Sequence, residues 1–168
     1  VGGGGSELVA SMDMRFGVIG KTIVNQMEVP LGILPGGSGT QRLPRLVGRG
    51  RAMEIVLGGE DLDAETAERW GYLNRIYPAA EIGQAVNKLA QRIARSPQPA
   101  VRLAKASVNA AELPLAQGLS EEAYLFARLL RTAEAQTAMR RFMAMGGQTH
   151  DGEMRVADLV DEVTRNGE

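Results

Sequence analysis

The chain is predicted to be an α/β protein in which helix dominates, and three observations predict it. Short β-branched runs bounded by glycine, at 13–20 and 22–26, have the length and composition of strands. From residue 79 onward apolar side chains recur at helical spacing, punctuated by Gly and Pro. Two glycine clusters, at 2–5 and 36–39, stand where packing has no use for them, because glycine supplies no side-chain volume and loses the most backbone entropy on folding. The expected organisation is a core region at 1–78 that holds the glycine clusters, then a helical region and tail at 79–168.

The first cluster opens the chain as Val1-Gly2-Gly3-Gly4-Gly5-Ser6-Glu7, running into Leu8-Val9-Ala10-Ser11-Met12. Ser6 is expected to cap a helix entered at Glu7, with Leu8, Val9 and Met12 on its apolar face. A glycine turn feeding a helix presents unpaired N–H groups and the positive end of the dipole, with a carboxylate, Glu7, beside them. Such a place suits a developing negative charge. The blander readings are an ordinary loop or a phosphate cradle, and for Glu7 a carboxylate that merely complements the helix dipole.

The next elements follow from punctuation. Asp13–Gly20 and Thr22–Gln26 are read as two short strands. Two prolines forbid regular structure through Val29–Pro35, and Glu28 sits just ahead in otherwise apolar company, a setting that suits a carboxylate for proton transfer. Its bland alternative is a buried partner of an arginine such as Arg42. Leu43, Leu46 and Val47 predict a short helix ended by Gly48. Ala52, Ile55, Val56 and Leu57 predict another, ended by Gly58-Gly59. Asp63, three residues before Thr66, caps a third that Gly71 stops after Trp70. Leu73–Tyr77 is a strand. Helices are expected at about 79–95, 98–112, 118–132, 134–145 and 153–165.

Composition excludes several classes of function. At 168 residues, 44% hydrophobic and 23% charged, the chain is an ordinary globular protein with enough length for a sizeable core. A net charge of −1 gives no field for nucleic acid or an anionic membrane. Arg42, Arg45, Arg49 and Arg51, without interleaved aromatics, are read as intersubunit contacts and not as an RNA patch. With no cysteine and one histidine, a thiol nucleophile, a disulfide frame and a metal centre are not expected. His150, in a polar tail, is given no catalytic role. No long apolar run or signal peptide is visible, so a cytoplasmic location is the expectation.

These residues also carry a family resemblance. Gly2-Gly3-Gly4-Gly5-Ser6-Glu7-Leu8 resembles the GGGxEL motif of the crotonase superfamily, the enoyl-CoA hydratases and isomerases. Glu28-Val29-Pro30-Leu31-Gly32-Ile33-Leu34-Pro35-Gly36-Gly37-Ser38-Gly39-Thr40-Gln41-Arg42-Leu43-Pro44-Arg45 resembles its second signature, and further matches run in register to about Phe142. The resemblance implies the C-terminal part of a crotonase-like spiral of strand–strand–helix units, followed by a helical trimerisation region. It implies an acyl-CoA thioester as substrate, with coenzyme A part of that substrate. It also implies a homo-trimer or hexamer; no resident cofactor is expected, and, from the charge, neither nucleic acid nor membrane as partner. Carried over residue by residue, Gly4 supplies one oxyanion-hole amide, and Glu7 and Glu28 are the two catalytic glutamates. Gly3, Gly5, Gln26 and Gly36 bind or line the substrate.

Adding water to a trans-2-enoyl thioester puts negative charge on the carbonyl oxygen, and preorganised backbone donors stabilise it by about 3 kcal/mol each. Two carboxylates flanking one water can orient it, take its proton and protonate Cα. The expected activity is therefore that of an enoyl-CoA hydratase. The alternatives are an enoyl-CoA Δ-isomerase, which needs one base, and a non-catalytic oligomerisation or binding module. The chain opens at Val1 directly on a glycine turn of a kind that normally follows a strand. It is therefore expected to be the C-terminal part of a longer protein, inactive by itself, whose upstream half carries the second oxyanion amide and most of the nucleotide pocket. Two departures from the family pattern stand out: Gln26-Met27 ahead of Glu28, and a tail after Phe142 without the usual lysine-rich ending.

Overall fold

A computed structural model describes residues 1–165 and resolves them into two compact units, 1–87 and 88–165. The first unit begins with α1 (Gly4–Ala10), β1 (Phe16–Val18), β2 (Ile23–Val24) and a 3-10 turn at Val29–Leu31. It continues with α2 (Gly39–Val47), α3 (Arg49–Gly58), β3 (Leu62–Asp63), α4 (Ala64–Trp70) and β4 (Arg75–Tyr77). The α/β class is as the sequence predicts. Strand β1 pairs in parallel with β4, Gly17 opposite Ile76, a pairing that requires a crossover, and α2 to α4 lie within it. Strand β2 pairs antiparallel with β3, Val24 opposite Leu62. The core between these elements is built on Val24, Leu43, Val47, Ile55, Ala67 and Tyr72, with Leu43 and Tyr72 wholly enclosed.

The predicted stops act where expected. Asp63 Oδ1 accepts from the Thr66 N–H at 2.7 Å, capping α4. Gly71 ends α4 in the left-handed conformation, φ 87°, which sends Tyr72 N–H back to the Ala67 carbonyl at 2.9 Å. Three details differ from the sequence reading. Helix α1 starts at Gly4, so Ser6 lies inside it and Gly3, at φ 52° and with no side chain, occupies the cap. Strand β3 was not foreseen, because Leu62-Asp63 is too short to show any alternation and forms only by docking on β2. The predicted strands are real but trimmed to two or three residues.

Helix α5 (Ile82–Ala94) leads into the second unit, which holds α6 (Gln98–Asn109), a 3-10 turn at Ala110–Glu112, α7 (Leu115–Leu130), α8 (Ala133–Ala144), α9 (His150–Met154) and α10 (Val156–Arg165). Helix α7 starts three residues before Gly118, just after Pro114. Gly118 is an interior close-approach point: a Cβ there would lie 3.1 Å from the Ala110 carbonyl. The expected last helix is two, separated at Arg155, and Thr149 caps the first through the Gly152 N–H. Leu159 and Val163 of α10 are buried, and Arg95 pairs with Asp161 at 2.7 Å. Most other apolar side chains of this unit are not covered: Leu115 is 77% exposed and Phe126 60%, whereas Leu125 is buried. Among the described residues no helix is long and apolar enough to cross a membrane.

Candidate active site

The site is assembled by backbone before any side chain enters it. Residues 1–3 run alongside 23–25. The Val1 amino group donates to the Ile23 carbonyl, Asn25 N–H to the Val1 carbonyl, and Gly3 N–H to the Asn25 carbonyl, at 2.6, 3.1 and 3.1 Å. The resulting parallel bridge, Gly2 to Asn25, sets the start of α1 against the segment that leads to Glu28. Gly3 is where they meet. A Cβ on it would lie 3.1 Å from Glu28 Oε1, and its φ of 52° is one that other residues adopt only with strain.

The second glycine cluster closes on the other carboxylate. Gly39 N–H donates to Glu7 Oε1 at 2.7 Å. A Cβ on Gly37 would lie 2.6 Å from Glu7 Oε2, and one on Gly39 would lie 2.9 Å from Oε1, so neither position has room for a side chain. Between them Ser38 takes φ 91°, the one non-glycine residue with positive φ among those described, and caps α2. Its Oγ accepts from Arg42 Nε at 3.0 Å, so Arg42 bonds here and not to Glu28. Strain at Ser38 is thus stored where the turn aims the Gly39 amide at a buried carboxylate.

Both glutamates are nearly enclosed, Glu7 at 5% and Glu28 at 8% exposure. Glu28 Oε2 has no hydrogen-bond partner among the described residues, nor has either amide atom of the fully buried Gln26. Unpaired buried polar atoms are costly, on the order of 1–3 kcal/mol each, so three of them within three residues set this segment apart. Gly5 and Glu7 donate their N–H groups to the Gly2 and Gly3 carbonyls, while the Gly4 N–H finds no acceptor among the described residues. Gly4 is exposed, and a Cβ on it would meet nothing within 4 Å. An open first-turn amide therefore lies three residues from one buried carboxylate and next to the glycine that touches the other.

A family model for enoyl-CoA hydratase/isomerase matches residues 1–150. The chain belongs to that family. It is 38% identical over 142 residues to a probable mitochondrial enoyl-CoA hydratase of Dictyostelium discoideum, covering 84% of this chain and 51% of that protein. It is 38% identical over 150 residues to a probable enoyl-CoA hydratase of Rhizobium meliloti, covering 84% and 55%. A crystal structure of an enoyl-CoA hydratase from Bacillus anthracis superposes with a TM-score of 0.82 at 32% identity, over 86% of this chain and 56% of that one. The crotonase fold is thereby established, and the chain spans about half the length of these relatives.

The residues singled out from sequence fall into two groups. Gly4, Gly5 and Glu7 form the first turn of α1, Glu28 lies against its cap Gly3, and the buried Gln26 follows Asn25, whose carbonyl accepts from Gly3 N–H. Gly36 stands apart: a Cβ on it would meet only the Leu34 carbonyl, at 3.8 Å. The glycines that close on the Glu7 carboxylate are Gly37 and Gly39, which the sequence reading named in the motif but not in the site. Tyr72 was likewise missed. Its hydroxyl donates to the Ser6 carbonyl at 3.0 Å and lies 3.0 Å from Ser6 Oγ. The signal was a tyrosine following the helix-stopping Gly71, which by itself reads as a strand residue. Beside Glu28, Val29 and Leu34 line a half-open apolar groove of about 290 Å³ with Pro44, Ala52, Met53 and Val56.

Proposed function

We propose that this chain carries the acid–base half of an enoyl-CoA hydratase site. The observation that supports it most is the pair of buried carboxylates, Glu7 in the first turn of α1 and Glu28 against its cap Gly3, beside a Gly4 amide that is open. The relatives named above as hydratases are consistent with it. In this reading the thioester carbonyl accepts from Gly4 N–H and from a second donor supplied upstream. A water held between the two carboxylates forms its C–O bond at Cβ as the π electrons move toward Cα and the carbonyl oxygen. The water's proton passes to one carboxylate, and Cα takes its proton from the glutamate pair. Gly39 N–H, occupying Glu7 Oε1, leaves Oε2 for the water. The apolar groove beside Glu28 is the seat proposed for the acyl chain, and the nucleotide of coenzyme A lies mostly on upstream residues.

The test assays the chain together with an upstream half, its own or that of a hydratase relative, because it spans only about half of their length. Loss of absorbance of a short or medium trans-2-enoyl-CoA is the readout. Glu7→Gln and Glu28→Gln are each expected to lower the rate ~10²-fold or more with the helix content unchanged. Wild-type rates in both variants remove the two-glutamate assignment. Double-bond migration without water addition replaces the hydratase reading with the isomerase one. The 168-residue chain assayed by itself is expected to show no turnover above background.

A further inference from the structure

We infer that Tyr72 is a positioning residue for this site: its phenol holds the first turn of α1, and with it the Gly4 amide and the Glu7 carboxylate. The inference rests on the hydratase reading above. Besides the Gly3 bond to Asn25 at its start and the Gly39 bond to Glu7, helix α1 has little else to fix it. It is seven residues long, begins with two glycines, and has no side-chain cap. Leu8 is 60% exposed, and only Ser6, Glu7 and Ala10 are buried. Glu7 is the working group and Ala10 offers a single methyl. Ser6 is left as the handle.

Proton accounting makes the handle specific. The Tyr72 hydroxyl has one hydrogen, and it goes to the Ser6 carbonyl at 3.0 Å. The contact of 3.0 Å between the two hydroxyl oxygens must then use the Ser6 hydrogen, with Tyr72 as acceptor. Two bonds of opposite sense between one residue of α1 and one tyrosine leave the helix turn little freedom to rotate or slide. The tyrosine is itself anchored. Its N–H reaches the Ala67 carbonyl at 2.9 Å, and its carbonyl accepts from Arg15 Nε at 2.6 Å. Arg15 also donates from Nη1 to the Met12 carbonyl at 2.7 Å, and its guanidinium sits 5.8 Å from the centre of the Tyr72 ring. The same anchor therefore grips α1 in its first turn through Ser6 and just past its last turn through Met12. Tyr72 touches none of the reacting positions and acts through Ser6 alone.

The experiment compares Tyr72→Phe, Ser6→Ala and the double variant, in the form that turns over a trans-2-enoyl-CoA. Melting temperature and amide hydrogen exchange of α1 are measured alongside kcat and KM. Tyr72→Phe keeps the ring packing and orphans the Ser6 hydroxyl. It is expected to lower kcat ~10-fold with KM within about twofold, since small misplacements of catalytic groups are costly. Ser6→Ala retains the bond to the Ser6 carbonyl and is expected to do less. The double variant removes both buried hydroxyls, so its melting temperature is expected to recover toward wild type. A positioning role predicts that kcat does not recover with it, and that α1 amides exchange faster in both variants that lack the phenol. Unchanged kcat in Tyr72→Phe, or kcat recovering together with melting temperature in the double variant, overturns the inference. A wild-type protein with no turnover refutes the hydratase reading instead, and exchange on the 168-residue chain then decides: unchanged α1 amides overturn the hold by Tyr72, faster ones support it.

Discussion

The backbone N–H of Gly39 donates to the carboxylate of Glu7 at 2.7 Å, across 32 residues of chain. One hydrogen bond thus joins the two glycine clusters, each of which alone reads as a loop. It also explains why both clusters need glycine: the first so that its own turn can close on Glu28, the second so that its backbone can reach Glu7.

That relationship makes Gly37 a sensitive position. An alanine there puts a methyl 2.6 Å from Glu7 Oε2, and because its backbone is not in the left-handed region the chain itself is not strained. The carboxylate must swing away and loosen its bond to Gly39. Gly37→Ala is expected to lower kcat ~10- to 100-fold while the melting temperature stays near wild type. Gly83→Ala, whose Cβ meets nothing within 4 Å, is the control. Equal rates in the two variants refute the close-contact argument.

Alkaline stability offers a second check. Burial pushes the Tyr72 phenol up, against the Ser6 hydrogen bond and the Arg15 charge, which pull it down. The unfolded chain releases this proton near the ordinary value of 10.0, whereas the folded chain keeps it to higher pH. Above that value the folded state therefore binds more protons, and stability falls as pH rises. Below it the contribution is constant. Melting temperature is expected to drop more steeply above pH ~10 in wild type than in Tyr72→Phe. Parallel curves exclude Tyr72 as the source.

Assembly is the third expectation. Phe126, Leu115, Leu119 and Tyr124 lie exposed on α7, an apolar surface of the kind that marks a partner, and closed rings of identical subunits are the common way to cover it. We expect a trimer or hexamer. Phe126→Asp, 60% exposed in the single chain, should break it without unfolding the subunit, whereas half-buried Leu129 is the poorer probe. A stable wild-type monomer at micromolar concentration in light scattering, with native helix content, removes the oligomer.

The sequence by itself determined the α/β class, the helix ends at Gly48, Gly59 and Gly71, the Asp63 cap, the two glycine clusters and the two glutamates between them. All of these rest on forces that act within a few residues: a glycine's tolerance of positive φ, a side-chain oxygen within reach of an N–H three residues on, an apolar period of 3.6. Tertiary structure alone decided the rest. Leu62-Asp63 is a strand only because β2 lies beside it, and Ser6 moved from cap to interior because Gly3 could take the cap. Gly37 and Gly39, and not Gly36, meet Glu7, and Tyr72 reaches Ser6 across 66 residues, because the crossover through α2 to α4 brings those backbones together. Close contact between distant segments leaves no periodic trace in the chain, since its cause is the packing of a shared core and not the preference of any one residue.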